Sequence, residues 1–293
     1  MNVLPSIVSG LGDGMLLFLI ASGLSVIFGA MRFLNFAHGA FFAIGGYLTY
    51  NILSSLQLTP VLLIGGALLA GLGVAALAYI SEVVVFRRLY KLPPIDSLLG
   101  TYALLLLLEG AILVVWGPNS LSVPYPKGLN STVRIGSVDV PQYSLLLIAV
   151  GVIVVVAMSF LLYKTSLGLE VRALAEDRPM TQLLGVNISR VSAKVMLIGG
   201  FLAGIGGALA TPTIALTPDL ATSFIIQAFA VVVVGGLGSF YGALIAAVVL
   251  GVTQSIVVTY IPSVSGIAFY ATMFAILLFR PQGILGKSSV EIS

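Results

Sequence analysis

The 293-residue sequence has no cysteine and one histidine, His38. Disulfide, thiolate and His-rich metal chemistry are thereby excluded, and no metal site is expected. Charge is scarce as well: Asp, Glu, Lys and Arg make up 8% of the chain, against about a quarter in ordinary soluble domains. The net charge of +3 comes from 13 Lys and Arg scattered between apolar runs. They form no stripe that could track phosphates, so no nucleic acid partner is expected. Hydrophobic residues fill 59% of the chain, and its mean hydropathy is +1.16. Such a composition belongs in membrane lipid, and the length allows roughly eight to ten helical spans of about 20 residues. Met1 to Gly10 carry no Lys or Arg of a signal-peptide n-region, so the first apolar segment is expected to be retained.

Apolar runs read against their breakers place spans at 11–31, 36–55, 60–86, 97–116, 142–163, 195–215, 223–240, 241–261 and 265–280. The fold expected is all-α and polytopic, one membrane domain over 1–293 with about eight to nine helices. Segments 36–55 and 223–240 are broken, at Asn35-Phe36-Ala37-His38-Gly39 and at Gly235-Gly236-Leu237-Gly238, and each reads as a half-helix or re-entrant piece. With the N-terminus outside, eleven of the 13 basic residues fall on inner segments and only Lys127 and Arg134 on outer ones. The positive-inside rule therefore gives N-out, C-in, and an odd number of crossings.

Two hydrophilic segments interrupt the spans. The outer one, 117–141, alternates apolar and polar residues from Thr132 to Val140 around Gly136-Ser137, which predicts a small hairpin. It serves either to dock an external protein or to cover the helix ends. The inner one, 164–194, puts Leu167, Val171 and Leu174 on one helical face, with Pro179 ending that helix. Met180, Leu183 and Leu184 repeat the pattern, Gly185 suits a left-handed C′ position, and Ser189 is the expected N-cap of the next span. These two short amphipathic helices either lie in the lipid interface or fill a groove on a cytoplasmic partner.

Catalytic machinery is missing. Gly286-Lys287-Ser288 ends like a Walker A loop, but Pro281 stands where its first glycine is required. The Gly236-Leu237-Gly238 run has Tyr241 three residues on and no strand before it, so it is no dinucleotide fingerprint. No Gly-x-Ser-x-Gly occurs, and no catalytic residue is expected. Glu109, inside the fourth span, is a candidate for ion coupling or a bond to a neighbouring helix. Glu82, one turn before Arg87 and Arg88, suggests a helix-end ion pair. Small residues at Gly200, Gly204 and Ala208, at Ala203, Gly207 and Thr211, and at Ala243, Ala247 and Gly251 predict closely packed helix faces.

Polar, glycine-flanked backbone at membrane depth is tolerated only inside protein or along a watery path. Asn35, His38 and Gly39, and Gly235, Gly236 and Gly238 with Gln227, therefore mark a candidate solute pathway, walled by Phe33, Phe36, Phe41 and Phe42. A zwitterionic or amide-bearing solute would exchange its hydration for these groups. Hydrogen bonding between helices is the alternative for Asn35 and His38.

Four stretches carry a resemblance: Asn35-Phe36-Ala37-His38-Gly39; Arg172-Ala173-Leu174-Ala175-Glu176-Asp177 continuing to Leu183-Leu184-Gly185-Val186-Asn187; Gly235 to Ala243; and Arg280-Pro281-Gln282-Gly283-Ile284-Leu285-Gly286. In this order and spacing the chain resembles the branched-chain amino acid ABC permeases of the high-affinity leucine/isoleucine/valine importer type. The resemblance implies a multi-pass bacterial inner-membrane subunit and a second homologous permease as partner. It also implies two cytoplasmic ATPases, which would hold ATP and Mg²⁺ in place of any cofactor on this chain, and a periplasmic or extracellular solute-binding protein. It makes 164–194 the coupling loop, with Glu170, Arg172, Ala175, Glu176, Asp177, Arg178, Met180, Leu183, Leu184 and Gly185 facing an ATPase. Similar permeases carry urea, short amides or aromatic acids, so several solute classes stay open; a stand-alone ion-coupled transporter is the alternative.

Overall fold

Uncharged runs of Leu, Val, Ile, Ala and Gly fold as helix in lipid because a helix satisfies its own backbone N–H and C=O groups. The computed structural model describes residues 3–54, 56–135 and 138–286. Among them, seven helices are long and apolar enough to cross a membrane. These are α1 (Leu4–Met31), α3 (Pro60–Ser81), α5 (Pro94–Trp116), α6 (Gln142–Lys164), α9 (Ile188–Ala210), α11 (Phe240–Tyr260) and α12 (Ser265–Phe279). A π turn at Glu82–Phe86 and α4 (Arg87–Leu89) extend α3, and a 3-10 turn at Pro262–Val264 opens the last span. Two further helices, α2 (His38–Leu53) and α10 (Leu220–Gly235), have 16 residues each. At about 24 Å they fall short of a hydrocarbon core of about 30 Å. They are the two segments whose sequence is interrupted, and with them the chain passes nine times between its two ends.

Irregular backbone leads into each half-helix. After α1 the chain turns at Arg32, whose φ of 49° is left-handed, and re-enters the bundle. His38 opens α2 beside Ile20 and Gly23, halfway along α1. From the other end, residues 211–219 dip back after α9 until α10 begins against α2: a Cβ on Gly39 would lie 2.2 Å from the Ala221 carbonyl oxygen. The first two turns of α2 and α10 thus lie side by side in opposite directions, with the positive ends of both helix dipoles deep in the protein.

The order of long helix, irregular entry, half-helix and two long helices occurs twice, once from α1 to α5 and once from α9 to α12, with α6 between. α1 packs along α11 as α9 packs along α3, and α2 meets α3 as α10 meets α11. α1 and α9 are antiparallel, Gly23 meeting Gly199 and Leu19 meeting Gly206, so the repeat is inverted. The small-residue faces sit at these seams as their spacing predicts: Gly200 against Ala75 and Ala78, Gly204 against Gly71, and Gly251 against Gly10 and Gly14.

Strands β1 (Thr132–Ile135) and β2 (Val138–Pro141) pair antiparallel at one end, the hairpin end. The Gly136-Ser137 turn lies outside the described residues. The loop before them covers the helix ends: Leu121 pairs with Leu216, the Lys127 N–H donates to the Leu58 carbonyl, and Tyr125 packs edge-on to Tyr143. At the opposite, basic end lie α7 (Ser166–Glu176) and α8 (Arg178–Leu183). Ten of the 12 described Lys and Arg cluster there; Lys127 and Arg134 are at the hairpin end and Lys287 lies outside the described residues.

Several boundaries differ from expectation. α1 starts at Leu4 rather than 11, since Pro5 fits a first helical turn. α9 runs from Ile188 to Ala210 rather than 195–215, and its N-cap is Asn187, whose side chain accepts from the Arg190 N–H, not Ser189. Pro179 does not end α7. Asp177, in extended backbone, ends it and caps α8 by accepting from the Met180 N–H, while Pro179 occupies the first turn of α8, where no N–H is needed.

Candidate functional site

The interior polar groups fall into two sets. Toward the hairpin end, α1, the 211–219 segment and α10 to α12 border a half-open cavity of about 500 Å³. Asp13, Gln227 and Gln254 reach it, among apolar and aromatic walls that include Leu16, Phe224, Phe269 and Tyr270. Of the expected pathway residues only Gln227 lines this cavity. Asp13, between Gly12 and Gly14 in α1, is a residue the sequence reading missed; an acid inside an apolar run was the available signal.

Asn35 and His38 are fully buried behind this cavity rather than on its wall. The Asn35 amide contacts the Met196 sulfur at 3.9 Å, and the His38 Nε2 bonds the Ile20 carbonyl at 3.0 Å. Asn35 Oδ1 and His38 Nδ1 have no partner. Rings separate the two sets. Phe42 stacks on Phe224 at 4.2 Å, and the half-buried Phe36 tilts against Phe229 at 4.8 Å. Phe33 instead packs on Phe86 and Tyr90. Gly39 is a contact glycine, leaving α10 room to approach α2.

The glycines after α10 are placed otherwise than expected. Gly235, Gly236 and Gly238 are at the basic end, not at mid-depth, because the segment after α12 folds back on them: the Ile284 and Leu285 N–H groups donate to the Val234 and Gly235 carbonyls. Gly236 and Gly238 have φ of 102° and 80°, which a side chain would strain, and Gly238 touches Gly29 of α1. They make a tight turn at a helix seam.

In the 164–194 loop the two short helices behave differently. The apolar face of α7 is occupied by its own chain, with Val171 and Leu174 buried against α6 and α1. Arg172 donates to the Leu162 carbonyl and lies 5.3 Å over the Tyr163 ring, and Arg32 donates to the Ala175 carbonyl at 3.1 Å. α7 is therefore clamped to the membrane helices. α8 is unpartnered on its apolar side, with Met180, Leu183 and Leu184 at 53%, 84% and 74% exposure beside the exposed Gly185, whose φ of 87° makes the turn. Glu176 and Arg178 line clefts beside α8 that Arg32 also borders, and Glu170 is half-buried on α7.

Glu109 joins two helices. Its Oε1 accepts from the Thr222 N–H at 2.9 Å and the Thr222 hydroxyl at 2.7 Å, capping the first turn of α10 from α5. Glu109→Leu should lower the melting temperature, through a loss of roughly 1–3 kcal/mol for donors left without an acceptor; Glu109→Gln, which keeps an acceptor, should retain most of it. Thermal unfolding in detergent reads both. Glu82 is buried, accepts from the Tyr90 hydroxyl and lies 3.8 Å from the Arg87 Nε. Burial and the neighbouring carboxylate push the Tyr90 hydroxyl well above its ordinary pKa, so it stays a donor.

A family model described as branched-chain amino acid transport system, permease component, matches residues 6–279. The chain is similar to the high-affinity branched-chain amino acid transport system permease protein BraD of Pseudomonas aeruginosa, 26% identical over 99% of this chain and 98% of the relative. It is also similar to two such proteins of Escherichia coli. LivH is 27% identical over 93% of this chain and 92% of its own length, and LivM is 28% identical over 95% and 69%. No solved structure matches.

Proposed function

The chain belongs to the family of branched-chain amino acid transport system permease components, and on that premise we propose that it is the membrane-spanning subunit of an ATP-driven importer of branched-chain amino acids. It is a multi-pass membrane protein and a permease component, not an enzyme in its own right. In the proposed assembly it pairs with a second, homologous permease in the inner membrane; two cytoplasmic ATPases bind ATP and Mg²⁺, and a solute-binding protein delivers amino acid at the hairpin end. The positive-inside rule supports a cytoplasmic basic end.

The observation that carries this reading is the division of labour between α7 and α8. A helix locked to α1 and α6, joined to a short helix offering bare Leu183 and Leu184, can pass a push from a partner into the bundle. ATP closure would move α8 and α7 and, through Arg32, the end of α1 that leads into half-helix α2. The solute pathway then lies along α1, α2 and α10, with the Phe42 and Phe224 stack as its inner constriction.

Uptake of labelled leucine into proteoliposomes tests the proposal. The complete assembly should accumulate leucine only with ATP and binding protein, and a hydrolysis-deficient ATPase should abolish it. Accumulation by this chain alone under an ion gradient would overturn the reading in favour of ion-coupled transport.

A further inference from the structure

We infer that the cavity toward the hairpin end is a binding site for a primary ammonium group attached to a compact apolar body, and that Asp13 is the residue that reads the ammonium. The inference rests on the permease reading above and assigns the substrate chemistry to one place in this chain.

Asp13 stands about 14 Å along α1 from Leu4, in a helix otherwise almost wholly buried within the protein. Its side chain is exposed to the cavity, and no ion pair or hydrogen bond engages it among the described residues. No Lys, Arg or His lines the cavity. A carboxylate inside a membrane bundle is costly unless something pairs with it, and a cation entering the cavity would supply that charge.

A second, independent observation has the same sign. Gln254 of α11 spends its amide N–H on the Ser265 carbonyl at 3.0 Å, which leaves its Oε1 buried without a donor. Asp13 thus gives the cavity an acceptor that no protein donor engages, and the Gln254 Oε1, shielded beneath the wall, is a second polar atom without one. An ammonium carries three N–H donors and one positive charge. Leu16, Phe224 and Phe269 supply apolar wall for a branched hydrocarbon, and about 500 Å³ is ample for one small amino acid. Gln227, whose amide can donate as well as accept, is placed to meet a carboxylate.

Equilibrium binding of tritiated leucine to the full chain in nanodiscs tests this, with 3-methylbutylamine, 4-methylpentanoate and sodium chloride as competitors. Leucine should bind, the amine should displace it, and the acid, lacking the ammonium, should compete at least about tenfold more weakly. Asp13→Asn should weaken leucine binding at least about tenfold and leave the melting temperature unlowered, since Asp13 touches no protein partner. Equal competition by the acid, unchanged binding in Asp13→Asn, no leucine binding, or displacement by sodium in place of the amine would each overturn the inference. Parallel uptake by the complete assembly separates the two readings. If wild type and Asp13→Asn take up leucine equally, the site is wrong and the importer stands; if wild type takes up none, the importer fails first.

Discussion

Replacing Gly207 with valine is expected to leave no folded protein to purify. A Cβ at this position would lie 1.8 Å from the Phe42 carbonyl oxygen and 3.0 Å from the Gly46 backbone nitrogen. Both contacts are backbone, so no rotamer change relieves them. α2 and α9 would have to part by more than about 1 Å in a close-packed interior. That separation would drag α2 from α10 and disturb the Phe42 and Phe224 stack, since α2 has both neighbours. Gly65→Val is the control, because a Cβ there meets nothing within 4 Å. Membrane yield and the monodisperse peak in detergent should be lost for Gly207→Val and kept for Gly65→Val. A well-folded Gly207→Val protein would mean that the half-helix is not seated as described.

The second large effect separates folding from drive. Leu183 and Leu184 are exposed at 84% and 74%, so Leu183→Asp with Leu184→Asp should leave yield and melting temperature within the range of surface substitutions. If α8 fills a partner's groove, two desolvated aspartates there should cost more than about 2 kcal/mol of docking, which is more than tenfold in affinity. ATP-driven uptake and stimulation of the ATPase by the permease should fall together by at least about that factor. Uptake equal to wild type would remove α8 from the coupling contact. Val171→Asp should fail differently, by lowering stability, since that residue is buried inside the chain.

Much of the fold is legible in the sequence. Hydropathy alone locates the spans, and among the described residues the two apolar bundle helices of 16 residues are those broken at Asn35 and at Gly235. Glycine spacing identified the seams of α9 and α11 because close helix approach needs small residues at every fourth position. Depth was harder to read. Gly235, Gly236 and Gly238 read as mid-membrane only if nothing folds back on them, and the contact with Ile284 and Leu285 is a tertiary fact with no local signature. The α7 face was misjudged for a related reason: amphipathicity states that Val171 and Leu174 need cover, not whether a partner or the same chain supplies it. Asp13 escaped notice because it sits near the start of an apolar run and has no companion in sequence. Gln227 and Gln254, its neighbours in the cavity, are more than 200 residues away.

The inverted arrangement of the two four-helix sets has a mechanical corollary. Each set presents its half-helix to the opposite end of the bundle, yet α1 lies along α11 and α9 along α3, so the two sets are interlocked like clasped hands and do not form separate blocks. A displacement of α1 is therefore shared at once by helices of both sets.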